Sequence, residues 1–268
     1  MNLDELKKCN LAITHNGLFH ADDVFSAAFL KLINPNITII RTNDCNEYEG
    51  LKFDIGMGEF DHHMINNEIR DNGIPYASFG KLWRKFAPLV YGNYVFEKID
   101  MLLVQNIDYS DNTGSNDTLC YAISSFNDFT DDGNGDLEFI KAVEFASVLL
   151  SNMIKNAVNN YNDEKQVMDI YNNSKDKHIL VLDKYLHFKD SLPNTEVTYV
   201  IYPSKRGGYL AQAVTISSDT TKLKKPFPKK WLNKLPENLT FCHQTRFLIG
   251  ANNLEDIINA CKLVIMEE

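Results

Sequence analysis

The sequence predicts an α/β fold: a parallel sheet layered between helices, followed by a smaller α+β domain. Three observations carry that reading. Short β-branched runs alternate with helical segments near the start, a polar stretch interrupts the pattern near residue 175, and strand-like runs dominate beyond it. Strand, helix, strand in close succession implies a crossover helix and therefore parallel pairing.

Taken in order, Leu11-Ala12-Ile13-Thr14 reads as a buried strand and residues 15–20 as a loop. Asp22 or Asp23 can cap a helix over 24–33, which Asn34-Pro35-Asn36 ends. Residues 37–40 form a second strand and 51–55 a third, closed by the Gly56-Met57-Gly58 turn. Helices are predicted over 77–90 and 94–106, with Asp108 just past the second. The Asp-, Asn- and Gly-rich stretch 126–136 reads as a surface loop, followed by helices over 137–161 and 164–172. Residues 173–177 look like a linker, which sets the domains at 1–174 and 175–268. In the second domain, 179–182, 198–201 and 209–214 are strand candidates, and 254–263 has helical spacing of apolar residues.

Bulk properties narrow the function classes. A net charge of −9 argues against a broad non-specific grip on nucleic acid, although a metal centre would supply local positive charge that this sum omits. No run of eighteen apolar residues occurs, so no membrane span is expected. The first nine residues do not read as a secretory or transit leader, and a cytoplasmic protein is the expectation. The five cysteines are scattered without a CxxC pair, as suits reduced, mostly buried thiols. Basic residues gather late, at Lys205, Arg206, Lys222, Lys224, Lys225, Lys229, Lys230 and Lys234. They suit a positive lip beside an acidic site or a plain solvated face equally well.

The chemistry-bearing residues concentrate early. His15, His20, Asp22, Asp54, Asp61, His62, His63 and Asp108 fall at the ends of different predicted elements, on the rim where open α/β sheets bind ligands. Imidazoles bind borderline transition metals, and carboxylates add charge and can bridge two ions. The surplus of ligands points to two divalent ions, with manganese favoured and zinc, cobalt, iron or magnesium as alternatives. Asp117 and Asp23 read as helix caps rather than ligands. Trp83 and Trp231 read as core or interface filler. Lys205, Arg206, His243 and Arg246 could grip a substrate phosphate, against a structural role as pairing and strand-capping groups.

The string Thr14-His15-Asn16-Gly17-Leu18-Phe19-His20-Ala21-Asp22-Asp23 resembles the opening motif of the MYG1 family of uncharacterised metal-dependent hydrolases. That family is related to the DHH phosphoesterases, whose name Asp61-His62-His63 matches. Phe53-Asp54-Ile55-Gly56, Gly73-Ile74-Pro75-Tyr76-Ala77-Ser78-Phe79-Gly80, and Ile107-Asp108 followed by Asp111-Asn112-Thr113-Gly114 extend the resemblance. Looser matches run to Cys242-His243-Gln244-Thr245-Arg246-Phe247-Leu248-Ile249-Gly250. The resemblance implies a DHH-like catalytic domain in which His15, His20 and Asp54 hold one ion. Asp22, Asp54, His62 and Asp108 would hold the other, with Asp54 bridging. It further implies that His63 faces the phosphate and that Asp61 orients a ligating histidine. Two departures stand out: His20, where many superfamily members have aspartate, and Gly207-Gly208 before Tyr209, where many relatives have one glycine and a tryptophan.

The resemblance implies a 3'-5' exonuclease acting on RNA or short oligonucleotides. The residues alone reach only hydrolysis of a phosphoester or phosphoanhydride. A small-molecule phosphatase or pyrophosphatase, and a metal-stabilised binding protein without turnover, remain as alternatives. The partner expected is a phosphate-containing substrate, with no membrane involved and a homodimer left open.

Overall fold

A six-residue helix, α1 (Leu3–Lys8), opens the chain; Asn2 and Glu5 exchange side-chain bonds with each other's backbone N–H groups to start it. The apolar run that follows becomes β1 (Leu11–His15), whose Ala12, Ile13 and Thr14 are fully buried. After α2 (Ala21–Ile33) the chain returns as β2 (Thr38–Thr42) and then β3 (Leu51–Lys52). Both pair with β1 in parallel, in the order β2-β1-β3. The expected crossover unit is therefore present. Every residue of α2 from Ala21 to Leu30 is buried, so this helix lies inside the core rather than on its surface. This structure is a computed structural model describing residues 1–64, 67–115, 117–128 and 135–267.

Helix α3 (Ser78–Tyr91) stops at Gly92, whose φ of +81° suits a residue without a Cβ. The next helix corrects the prediction. Instead of ending at 106, α4 (Asn93–Ile99) passes through a π-helical turn at Asp100–Val104 into α5 (Gln105–Thr113), which Gly114 ends in the left-handed region. Asp108 thus lies inside a helix, not beyond one. No breaker stands between 93 and 113, so nothing in the chain stops the helix before Gly114.

After α6 (Thr118–Ser124), most of the predicted 126–136 loop lies outside the described residues. The two helices predicted over 137–161 and 164–172 are one, α7 (Asp136–Asn173), because the intervening Asn162 and Asp163 carry no glycine or proline to break the ladder. The strand predicted over 51–55 is shorter than expected. Phe53 makes an isolated bridge to Phe60, and Asp54 turns left-handed at φ +56°.

The chain divides into two units, Met1–Val158 and Asn159–Glu268. The second holds a mixed five-stranded sheet from β4 (Ile179–Val181), β5 (Tyr199–Pro203), β6 (Tyr209–Ala213), β7 (Leu239–Cys242) and β8 (Leu248–Ala251). Its order is β4-β5-β6-β8-β7, with the β4–β5 pair parallel and the others antiparallel. Successive residues of β5 serve opposite faces. Tyr199 and Ile201 join the core under helix α8 (Leu254–Met266), whereas Val200 and Tyr202 join a second core with Leu180 and Leu186. The two tryptophans fill core positions: Trp83 is fully buried in the first unit, and Trp231 stacks on Phe227 in the second. Among the described residues, no helix is long and apolar enough to cross a membrane.

Candidate metal centre

Four segments of the first unit converge on Asp54. From the end of β1, His15 brings Nε2 to 2.9 Å from Asp23 Oδ2 and 3.2 Å from Asp54 Oδ2. From the opposite side, His62 brings Nε2 to 3.0 Å from Asp54 Oδ1 and 3.3 Å from Asp111 Oδ2. The two oxygens of Asp54 thus face two different imidazoles. His20 Nδ1 lies 3.7 Å from Asp111 Oδ1, and His63 Nδ1 lies 3.8 Å from Asp54 Oδ1. A hollow of about 640 Å3 opens over His15, His20, Asp54, His62, His63 and Asp111.

The backbone explains why Asp54 can reach both sides. Its left-handed conformation swings the side chain off the line of β3, a turn that aspartate tolerates better than bulkier residues. Its N–H is shared between Phe60 O and Ser78 Oγ, at 3.0 and 2.7 Å. The Ser78 hydroxyl in turn donates to Phe60 O, tying the Asp54 loop to the start of α3.

Donor chemistry provides a test of whether metal ions fit. His15 Nδ1 is 2.9 Å from Asn16 O, a carbonyl that can only accept, so the hydrogen sits on Nδ1. Nε2 then faces two carboxylates, an arrangement that either a proton on Nε2 or a metal ion between the groups satisfies. Asp23 Oδ2 and Asp54 Oδ1 are buried with no aligned hydrogen-bond donor, despite imidazole nitrogens within 3.0 Å of each. Close but misaligned donor atoms are what one ion enforces: ligands bound at about 2.1 Å stand roughly 3.0–3.4 Å apart. Three overlapping ligand groups meet here: His15, Asp23 and Asp54; Asp54, His62 and His63; and Asp22, His62 and Asp111. These groups can coordinate divalent metal.

Electrostatics agrees with the geometry. Burial works against a charged His15, yet contacts with Asp23 and Asp54 outweigh it and raise the imidazole to about 11. Burial likewise opposes ionisation of Asp54, and His15 and His62 override it to hold that carboxyl below its ordinary range. Burial, and then the charges of Asp54, Asp111 and Asp108, push Asp22 well above it. Carboxylates this close together and this buried disfavour one another's ionisation, a cost that a bound cation would relieve.

A family profile described as Uncharacterised protein family (UPF0160), named MYG1_exonuc, matches residues 11–265. The chain belongs to this MYG1 family. Similar proteins include the MYG1 protein of Chlamydia muridarum, 25% identical over 289 residues that cover 95% of this chain and 96% of the relative. The MYG1 protein of Dictyostelium discoideum is 22% identical over 304 residues, covering 91% and 92%. No solved structure matches.

Within this MYG1 chain, several expected residues land elsewhere. Asp108 is fully buried, but Arg70 Nη2 holds its Oδ2 at 2.6 Å and the Gly80 N–H donates to its Oδ1 at 3.1 Å. It belongs to none of the ligand groups among the described residues, and Asp111, one helical turn on, occupies the place anticipated for it. Asp22 lies in a ligand group but also accepts from Ser78 N and Phe79 N at the start of α3. Asp23, read as a cap, does cap α2 by accepting from His20 N at 3.1 Å; its other oxygen meets His15. Asp61 bonds His63 Nδ1 at 2.7 Å, not the more buried His62, and also accepts from Met57 N at 2.7 Å.

In the second unit, Lys205 and Arg206 occupy the β5–β6 turn, beside the end of β8, while His243 and Arg246 occupy the β7–β8 turn. Antiparallel register, with Tyr209 opposite Ala251 and Gln212 opposite Leu248, puts those turns at opposite ends of the sheet. With strands rising about 3.3 Å per residue, the two pairs cannot meet on one phosphate. Arg246 also has a structural partner, donating to Phe227 O at 3.2 Å.

Proposed function

We propose that this chain is a two-metal phosphoester hydrolase of DHH type. The observation that carries the reading is the shared carboxylate: Asp54 presents one oxygen to His15 and the other to His62, with Asp23 and Asp111 completing opposite sides. His15, Asp23 and Asp54 would hold one ion, and Asp54, His62, Asp111 and Asp22 the other, with His20 between His15 and Asp111. Two divalent ions there would supply water activation and neutralise charge developing on phosphoryl oxygens. Mixed imidazole and carboxylate donors favour manganese over magnesium.

The remaining groups have positional roles. Asp61 accepts from His63 Nδ1–H and orients the ring, so that in its doubly protonated form Nε2–H would donate to a phosphoryl oxygen or pass a proton to the leaving group. Lys81, buried beneath, donates to Asp61 O at 2.6 Å and fixes the loop that carries both histidines. The name of the matching family profile supports an exonuclease, here a 3'-5' enzyme on RNA or short oligonucleotides. A hollow of about 640 Å3 also accommodates a small phosphate ester, which keeps phosphatase or pyrophosphatase chemistry as the second reading.

Manganese-loaded protein should be assayed on end-labelled single-stranded RNA, single-stranded DNA, dinucleotides and pyrophosphate. The proposal predicts mononucleotide release from the 3' end, and a loss of at least ~100-fold in Asp54→Asn with the fold intact by circular dichroism. Hydrolysis of pyrophosphate alone would favour the second reading. Undiminished turnover by Asp54→Asn would refute both.

A further inference from the structure

The second unit contains a cavity of about 560 Å3, framed by Tyr185, Phe188, Gln212, Leu223, Thr245 and Phe247, that shares no residue with the groups around Asp54; its His187 belongs to a separate group with Glu164 and Asp190. Packing voids in protein interiors are rarely much larger than a water molecule, whereas ligand pockets run to about 300–1,000 Å3. Its walls divide by chemistry. Phe188 and Val214 are buried beneath it, Leu223 and Phe247 are half-buried, and the Tyr185 ring, 53% exposed, stands edge-on to Tyr202 at 5.0 Å.

The polar groups are few and oriented. Gln212 Oε1 accepts from Tyr202 Oη at 2.9 Å, and in this orientation the N–H groups of Nε2 are available. Lys189 is exposed at the rim and brings a positive charge. His187 borders the cavity but directs Nε2 toward Glu164 and Asp190, at 3.6 and 3.8 Å. The pocket therefore offers aromatic and aliphatic surface for a flat ring, an amide donor for a ring nitrogen or carbonyl, and one cation for an anionic substituent.

We infer that this cavity binds a nucleotide, with the base against Tyr185 and Phe247, its edge on Gln212, and the phosphate toward Lys189. The ring-plus-anion chemistry follows from the cavity alone. The choice of a nucleotide rests on the phosphoester reading above, so the test excludes turnover.

Full-length protein stripped of metal with chelator should be titrated with AMP, adenosine and inorganic phosphate by calorimetry. AMP should bind with a millimolar or tighter Kd, adenosine more weakly, and phosphate least. Lys189→Ala should weaken AMP by roughly threefold or more and leave adenosine unchanged. Thr245→Trp, at an exposed mouth position, should block both without disturbing the core. Photolabelling with 8-azido-AMP should mark peptides from 185–189, 212–221 or 245–247. Absence of AMP binding at millimolar concentration, phosphate competing as well as AMP, or labelling confined to the His15–His63 peptides would overturn the inference. Failure here with intact hydrolysis would leave the metal-centre reading standing, and the reverse result would isolate its failure.

Discussion

Three residues apart on one helix, Asp108 and Asp111 show how a ligand is chosen by its neighbours. The aspartate-rich string around them is legible in the sequence, but which carboxylate turns toward the histidines is not. That choice depends on Arg70, buried with its guanidinium 3.9 Å above the Tyr76 ring and bonded to both Asp108 and Asp100. Burial pushes the Asp108 carboxyl up to about 7 against the pull of Arg70, and its contacts are the internal ones to Arg70 and the Gly80 N–H. Asp108→Asn should lower unfolding free energy by about 1–3 kcal/mol in urea titrations, by weakening that pair, while leaving metal affinity near wild type. Asp111→Asn should do the opposite, weakening metal by more than ~10-fold with little change in stability. Equal metal loss in both variants would return Asp108 to the ligand set. His15 and Asp54 were legible because each ends or follows a short apolar run, and His62 because it sits in the adjacent Asp61-His62-His63 cluster after a loop. Asp23 was half legible: its capping position is a local pattern, whereas its contact with His15 is a tertiary one.

At the scale of elements, the site depends on where α3 begins. Its first backbone N–H groups bond Asp22, Ser78 bonds the Asp54 loop, and Gly80 lies against Asp108. A Cβ at Gly80 would overlap the Asp108 carboxylate, so only glycine allows α3 and α5 to approach this closely. Gly80→Ala should therefore cost about 1–3 kcal/mol of stability and weaken metal binding through displacement of α5. Wild-type stability and affinity in a differential scanning and metal titration series would show that the helices are not held by that contact. Strand and helix identities near the start followed from hydrophobic period and caps. Helix ends were less legible where no glycine or proline marks them, as in the π-helical turn at Asp100–Val104 and the unbroken α7. The β7–β8 pair escaped notice because each strand is only four residues, too short a run for its apolar pattern to register.

For the whole molecule, the parallel β2-β1-β3 sheet and the mixed five-stranded sheet lie in separate units, each with its own apolar core. The candidate ligand groups around Asp54 fall in the first unit; the aromatic cavity falls in the second, where Glu164, His187 and Asp190 form a further group. A net charge of −9 is compatible with the proposed phosphoester hydrolysis because metal ions, rather than side chains, would supply the positive charge toward phosphate. The early clustering of histidine and aspartate was legible from the sequence, whereas the opposite placement of Lys205–Arg206 and His243–Arg246 was not. It depends on the antiparallel register of β6 and β8, which no local pattern encodes. The proposal that Asp54 would hold two ions at once is tested most directly by anomalous diffraction from crystals of the manganese-reconstituted protein. Two peaks about 3.5–4 Å apart, one on the His15 side of Asp54 and one on the His62 side, are the predicted result. A single peak, or none at full reconstitution, would contradict it.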